Sequence, residues 1–174
     1  MATCLMTGLM TDTDQFTNAA TSRASLAVGS RLMSIGANLS QVQGLNFKDK
    51  SIDMLKLWGL IFTRLKKHET LGIVYTYFIR DDLARYQVND TETEGIANFL
   101  NSLEEGRASL ILKEQKDGTV KGSFRTTDPT LDVAAYAKRL GGGGHTKAAG
   151  FTMGGPIETA PERIFRLIED PAQA

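Results

Sequence analysis

Apolar residues recur along this chain with two spacings, one helical and one alternating, and the changes between them fall at turn-forming residues. Ala2–Met10 is short, small and apolar, and its spacing selects neither helix nor strand before it meets Thr11-Asp12-Thr13-Asp14. From Thr21 to Ile35 the spacing is helical, with Leu26, Met33 and several alanines on one side. Thr21 or Ser22 supplies an N-cap, and Gly36 stands where a left-handed C-cap belongs. Asn38–Lys50 is polar and turn-rich around Gly44. Ser51–Lys67 has the strongest helical composition, with one apolar stripe at Ile52, Leu55, Phe62 and Leu65 and another at Met54, Leu57, Trp58 and Ile61. Two neighbouring stripes predict a helix wedged between layers or between domains. Asp53 in its first turn and Lys66-Lys67 in its last suit the helix dipole, and His68 reads as a surface residue at the helix end.

Further on, the β-branched and aromatic run Leu71–Ile79 predicts a strand. Thr91–Leu103 predicts a helix, opened by a Thr91…Glu94 capping box and carrying Ile96, Phe99, Leu100 and Leu103 on one face. Arg107–Lys113 and Thr119–Arg125 predict two strands joined across Asp117-Gly118. In the second, Val120, Gly122 and Phe124 share one face, and Lys121, Ser123 and Arg125 share the other. Leu131–Leu140 predicts a short helix, and Lys147–Phe151 leads into a strand ending near Met153. A last helix begins at Thr159, with Pro161 near its first turn, Glu162 completing a second capping box and Pro171 past its end, turning Ile164, Phe165, Leu167 and Ile168 inward. The order β-α-β-β-α-β-α from residue 71 describes a self-contained α/β unit preceded by mostly helical material.

Lys+Arg 20 against Asp+Glu 20 leave no formal net charge in 174 residues. That balance excludes a whole-surface electrostatic grip on nucleic acid, so any anion site has to be a local cluster. Cys4 is the only cysteine, which excludes a disulfide framework and favours a reducing compartment. No apolar stretch approaches the roughly 20 residues that span a bilayer. The apolar N-terminus has no basic residue ahead of Asp12, unlike a signal peptide. A soluble, cytoplasmic chain with no membrane partner is expected.

Gly141-Gly142-Gly143-Gly144-His145 is the segment richest in chemistry. A helix C-cap accounts for one glycine, while each further one costs about 0.5–1 kcal/mol of backbone entropy relative to alanine. Such a run serves either the close approach of a chain or ligand, or successive N–H groups turned toward an anion. His145 and Lys147 add donors and positive charge, which favours an anion site over a flexible hinge. Arg125, at a strand end on the polar face, can fork onto a phosphate, although alone it reads as an exposed strand arginine. Asp12 offers a carboxylate to a hard divalent cation, but one carboxylate cannot hold a catalytic metal, and an N-cap or Asx-turn role comes first. The residues alone assemble no complete catalytic site.

Two segments together resemble the DHH phosphoesterase superfamily. Thr7-Gly8-Leu9-Met10-Thr11-Asp12-Thr13, with Phe16, Thr21 and Arg23 after it, is similar to the family's closing metal motif, T-G-[IL]-x-T-D-T-G-x-F. Gly141–His145 with Ala148-Ala149-Gly150-Phe151 resembles the G-G-G-H-x-x-A-A-G-F signature of the DHH-associated C-terminal domain. Thr93-Glu94-Gly95-Ile96 with Asn98, Ser123-Phe124-Arg125 and Asp132-Val133-Ala134 match further stretches of the same family. Asp14 stands where the family has glycine, and Thr146-Lys147 where a K-N pair is common.

The nano-RNase members, oligoribonucleases and 3′,5′-bisphosphate nucleotide phosphatases, are the nearest in motif. The resemblance implies that 1–45 is the end of a DHH catalytic domain, 46–69 a linker helix, and 70–174 a mixed-sheet, DHH-associated substrate-binding domain. It implies that Asp12 is a metal ligand of a full enzyme whose two manganese ions activate water and stabilise phosphoryl charge. Arg125, Gly142, Gly143, Gly144, His145 and Lys147 would then hold the far phosphate or base of a short oligonucleotide, bisphosphate nucleotide or cyclic dinucleotide.

The implied partners are that nucleotide, an N-terminal DHH domain not seen in this chain and, from the wide apolar face of Ser51–Lys67, a second copy in a homodimer. The chain alone is expected to be inactive and to hold manganese weakly. The alternative is a non-catalytic nucleic-acid-binding or dimerisation module, since similar C-terminal domains occur on alanyl-tRNA synthetases. In the dimerisation version the glycines pack against a partner.

Overall fold

Met6 and Met10, one helical turn apart, settle the segment that spacing left open: both are buried in helix α1 (Ala2–Asp12). They meet Leu32 of α2 (Arg23–Ser34) and Val42, with Leu9 and Phe16 packed alongside. Ser22 caps α2 reciprocally, its hydroxyl accepting from Ser25 N–H at 3.1 Å while its own N–H donates to the Ser25 hydroxyl at 2.7 Å. The computed structural model describes residues 1–13, 15–17, 20–42, 51–88, 96, 99–100, 103 and 105–170. These fall into two units, Met1–Ser51 and Ile52–Ala174. Asp14, Gly44, the Thr91…Glu94 box, Asn98 and Pro171 lie outside the described residues.

The helix expected over Ser51–Lys67 ends early, as α3 (Ile52–Thr63). Lys66, Lys67 and His68 instead form strand β1 (Lys66–His68), antiparallel to β2 (Ile73–Phe78). The lysines therefore serve an outermost strand, where charged side chains discourage further pairing, and have no part in a helix dipole. His68 is likewise no helix-end residue: its ring lies 4.2 Å from that of Phe165, and Nε2 is 3.7 Å from a Glu169 carboxylate oxygen. Of the two stripes on α3, the Met54, Leu57 and Ile61 side is buried, whereas Ile52 and Leu55 stay 72% and 55% exposed. This helix is part of the second unit's core.

A short helix that the hydrophobic spacing does not announce, α4 (Arg80–Tyr86), follows β2. Asp82 sets it in place. Its carboxylate accepts from Ile79 N–H at 2.9 Å and forks onto Arg64 at 2.5 and 3.0 Å, tying the end of α3 to the start of α4. That bond raises the Arg64 pKa above its ordinary value, against the opposing effect of burial. Of the helix expected over Thr91–Leu103, Ile96, Phe99 and Leu100 are helical. Ile96 and Leu100 are buried, and Phe99, although 49% exposed, lays its ring 5.2 Å from that of Phe62 and 6.1 Å from that of Trp58.

The remaining elements are β3 (Ala108–Glu114), β4 (Thr119–Arg125), α5 (Val133–Arg139), β5 (Gly143–His145), β6 (Ala148–Gly154) and α6 (Ala160–Glu169). The strands form one six-stranded mixed sheet in the order β1-β2-β3-β4-β6-β5, parallel only between β2 and β3. Alternation along the strands divides its faces. One carries Ile73, Leu110, Leu112, Val120, Phe124 and Phe151 against Val133 and Ala137 of α5 and Ile164 and Ile168 of α6. The other buries Phe78 and Ile111 under α3, Ile96 and Leu100. Across β4 and β6 that second face instead presents Lys121, Ser123, Arg125, Ala148, Gly150 and Thr152, all exposed or half-buried. Among the described residues no helix is long and apolar enough to cross a membrane.

Candidate functional site

Strand register brings Arg125 and His145 together. Ala148 of β6 pairs with Arg125 on one side and with His145 on the other. Paired residues share a sheet face, so the guanidinium and the imidazole stand on one row with a single methyl group between them. Strand spacing places their backbones about 10 Å apart. The next row of the same face is Ser123, Gly150 and Gly143, and the one after it is Lys121 and Thr152. A floor of glycine, alanine and serine flanked by cations can accept a flat or extended anionic ligand. Ser123 and Gly150 belong to that floor; their place in the motifs and in strand alternation was the available signal.

The glycine run is held by its own chain. Gly141 and Gly142 N–H donate to the Lys138 and Ala137 carbonyls at 3.1 and 2.8 Å, closing the end of α5, so neither is turned toward an anion. A Cβ on Gly142 would stand 2.2 Å from the Gly150 carbonyl oxygen, and one on Gly144 2.6 Å from that of Ala148. The close approach that these two glycines permit is therefore made by β6. Gly143 has nothing within 4 Å of a built Cβ and faces the open row.

Lys147 is largely engaged in structure. Its ammonium donates to the Asp128 and Leu131 carbonyls at 2.5 and 3.2 Å, holding the loop before α5. Asp128 organises the same loop. It accepts from the Thr130 hydroxyl (2.6 Å) and N–H (2.8 Å) and from Arg107 Nε (2.9 Å). Those bonds, the Thr130 hydroxyl first, lower its pKa to about 2. Thr126 N–H donates to the Lys147 carbonyl and Val133 N–H to that of Thr146, so the β5–β6 turn is docked beside the end of β4. Arg125 is half-buried, with Nη1 3.3 Å from its own strand's Phe124 carbonyl, and His145 is exposed.

Asp12 lies in the other unit. It is the exposed last residue of α1, a position that replaces the expected N-cap or Asx-turn role. A carboxylate at a helix C-terminus opposes the helix dipole. The neighbouring Thr13 is buried and closes the turn, donating to the Leu9 carbonyl (2.7 Å) and accepting from Phe16 N–H (3.1 Å). Among the described residues there is no group of three or more His, Cys, Asp or Glu that could hold a metal ion. The donors described here do not by themselves fit a two-metal centre. A cavity of about 390 Å³ opens at the opposite end of β4, beside the β3–β4 turn, lined by Arg80, Glu114, Gln115, Lys116, Asp117, Thr119 and Thr152. The Arg125–His145 row is an open face.

The sequence profile of the DHHA1 domain matches residues 71–170, more than half of the chain. The chain belongs to the DHHA1 domain family. This DHHA1 region contains the whole Arg125–His145 face, and Asp12 precedes it. Across 172 residues the chain is 27% identical to the bifunctional oligoribonuclease and PAP phosphatase NrnA of Thermus thermophilus, covering 98% of this chain and 50% of that protein. The NrnA of Mycoplasma pneumoniae is 24% identical over 170 residues, covering 97% and 49%. The chain thus spans about half the length of the curated relatives it matches. An exopolyphosphatase-related protein from Bacteroides fragilis has the same fold, with a TM-score of 0.88 at 24% identity over 97% of this chain and 49% of its own.

Proposed function

We propose that this chain is the substrate-binding portion of a DHH-type phosphoesterase for short oligonucleotides or 3′,5′-bisphosphate nucleotides, with cyclic dinucleotides in the same chemical class. The reading is carried by one observation: Arg125 and His145 share a row of an open sheet face across the small Ala148. It is supported by the names of the NrnA relatives. Arg125 would fork onto a phosphate from one side and His145 donate from the other, while Gly143 and Gly150 let a sugar or base lie close to the sheet. These residues bind and orient the ligand, so that a scissile phosphate is presented elsewhere in a fixed position. In this reading 1–45 is the end of a catalytic domain and 70–174 the binding domain. Asp12 contributes one carboxylate to a manganese site whose other ligands lie outside the chain, and the chain alone is inactive.

Calorimetric titration with a 3′,5′-bisphosphate nucleotide in the presence of a chelator tests it. Metal-independent binding is expected, weakened tenfold or more, about 1.4 kcal/mol, by either Arg125→Ala or His145→Ala. No binding, or binding indifferent to both substitutions, would remove the phosphate site from this face. The dimerisation alternative loses its simplest form, because the tightest glycine contacts are made within the chain by β6.

A further inference from the structure

Ser123, Gly150 and Gly143 form the row beside Arg125, Ala148 and His145, two residues along each strand. At the rise of a strand the two rows lie about 7 Å apart. The inner end of the Ser123 row is closed, because Ser123 pairs with Ile111, which is buried under α3, Ile96 and Leu100. Its outer end, at Gly143, is the edge of the sheet. Glycine inside a strand weakens it and marks a bulge or the close approach of another group. For Gly142 and Gly144 that group is β6. For Gly143 and Gly150 the chain supplies none: a Cβ on Gly143 would meet nothing within 4 Å, and one on Gly150 only the Gly122 carbonyl oxygen, at 3.3 Å. Neither glycine has a positive φ. Ser123 is half-buried, and among the described residues its hydroxyl has no hydrogen-bond partner. The Thr126 hydroxyl, three residues on, is by contrast bonded to the Arg107 carbonyl at 2.5 Å.

We propose that Ser123 is a specificity residue that bonds the 2′-hydroxyl of a ribose lying over Gly150, so that this face selects ribonucleotides over deoxyribonucleotides. The proposal deepens the phosphate-binding reading of the face and rests on it. A phosphate held between Arg125 and His145 stands above Ala148, and the sugar esterified to it extends over the neighbouring row. Two missing side chains there let a furanose ring lie against the backbone, with its base directed over Gly143 toward the sheet edge. In a 3′,5′-bisphosphate nucleotide both the 3′ and the 5′ oxygen are esterified, which leaves the 2′-hydroxyl as the only free hydroxyl of the sugar. A serine hydroxyl donates and accepts, as the 2′-hydroxyl does. Ile111 behind Ser123 shuts water out on one side, so a ligand without that hydroxyl leaves the serine poorly paired. The half-exposure of Ser123 keeps the discrimination modest.

The test compares adenosine 3′,5′-bisphosphate with 2′-deoxyadenosine 3′,5′-bisphosphate, which has the same base and the same charge. Both are titrated in chelator into the wild-type chain, Ser123→Ala and Arg125→Ala. The ribose form is expected to bind about fivefold more tightly to the wild type. Ser123→Ala should bring that ratio close to one by weakening the ribose form and leaving the deoxyribose form within about twofold of its wild-type affinity. A ratio near one in the wild type, or a ratio that Ser123→Ala leaves unchanged, overturns the role of Ser123. Equal weakening of both ligands by Ser123→Ala also overturns it, since the hydroxyl would then touch the phosphate or the base. Binding that still depends on Arg125 would in each of those cases leave the phosphate-binding reading standing. Indifference of both ligands to Arg125→Ala removes that reading and the role of Ser123 with it.

Discussion

Asp128 shows how much one side chain does to place this face. Its carboxylate gathers Thr130 and Arg107, while the carbonyl of the same residue takes the Lys147 ammonium. The loop after β4 is thereby locked to the turn after β5, and Arg125 is held beside His145. Because these bonds put the folded pKa at about 2, below the ordinary 3.8, the carboxylate stabilises the fold above about pH 4. That contribution is lost as pH falls through about 2. Thermal unfolding between pH 6 and pH 2 should show a steeper loss for the wild type below pH 4 than for Asp128→Asn. Parallel curves would mean that the loop bonds contribute nothing to stability. Asp117, whose pKa Thr119 lowers in the same way, stays in both proteins.

Among elements, the β5–β6 hairpin separates two uses of glycine. Gly142 and Gly144 sit where β6 passes too close for a Cβ, while Gly143 faces open space. Gly142→Ala therefore forces a backbone shift and should cost on the order of 3 kcal/mol. Gly143→Ala should change stability by less than about 1 kcal/mol. Urea unfolding of the two variants measures the contrast, and equal costs would show that the hairpin relaxes around an added methyl. Gly143→Ala is also the gentler probe of the open row. Much of this was legible in the sequence as a need for missing Cβ atoms, but not what approached them. Successive N–H groups aimed at an anion and a neighbouring strand demand the same residues, and only strand pairing distinguishes them.

At the scale of the molecule, the two units keep separate cores. Met6, Met10, Leu32 and Val42 form one, and every residue of the two cores on either side of the sheet comes from Ile52 onward. A chain of residues 52–174 should therefore fold by itself, giving one cooperative thermal transition, and should keep any phosphate binding that depends on Arg125. Aggregation, or loss of that binding, would assign part of the face's support to residues 1–51. Among the apolar positions left exposed, Ile52 and Leu55 on α3 belong to the face from which a second copy is expected.

The strands Ile73–Phe78, Ala108–Glu114 and Thr119–Arg125, the caps of α2 and α5, and the final helix were set by local chemistry, although the Thr159…Glu162 box does not form, the Thr159 hydroxyl donating to the Pro156 carbonyl at 3.3 Å instead of capping a helix N–H. Alternation, capping residues and a tight-turn pair act over a few positions, and such signals survive in a linear sequence. The motifs likewise single out Asp12, Arg125 and His145 as candidates. Tertiary structure decided the rest, because the deciding contacts are remote in sequence. Lys66–His68 became a strand only because β2 offered it a pairing edge. α4 was fixed by an arginine 18 residues before its Asp82, although Asp81 and Asp82 in its first turn and Arg85 in its last were a readable hint. The meeting of Arg125 with His145 depends on register across neighbouring strands, a relation set by how the sheet assembles rather than by any single segment.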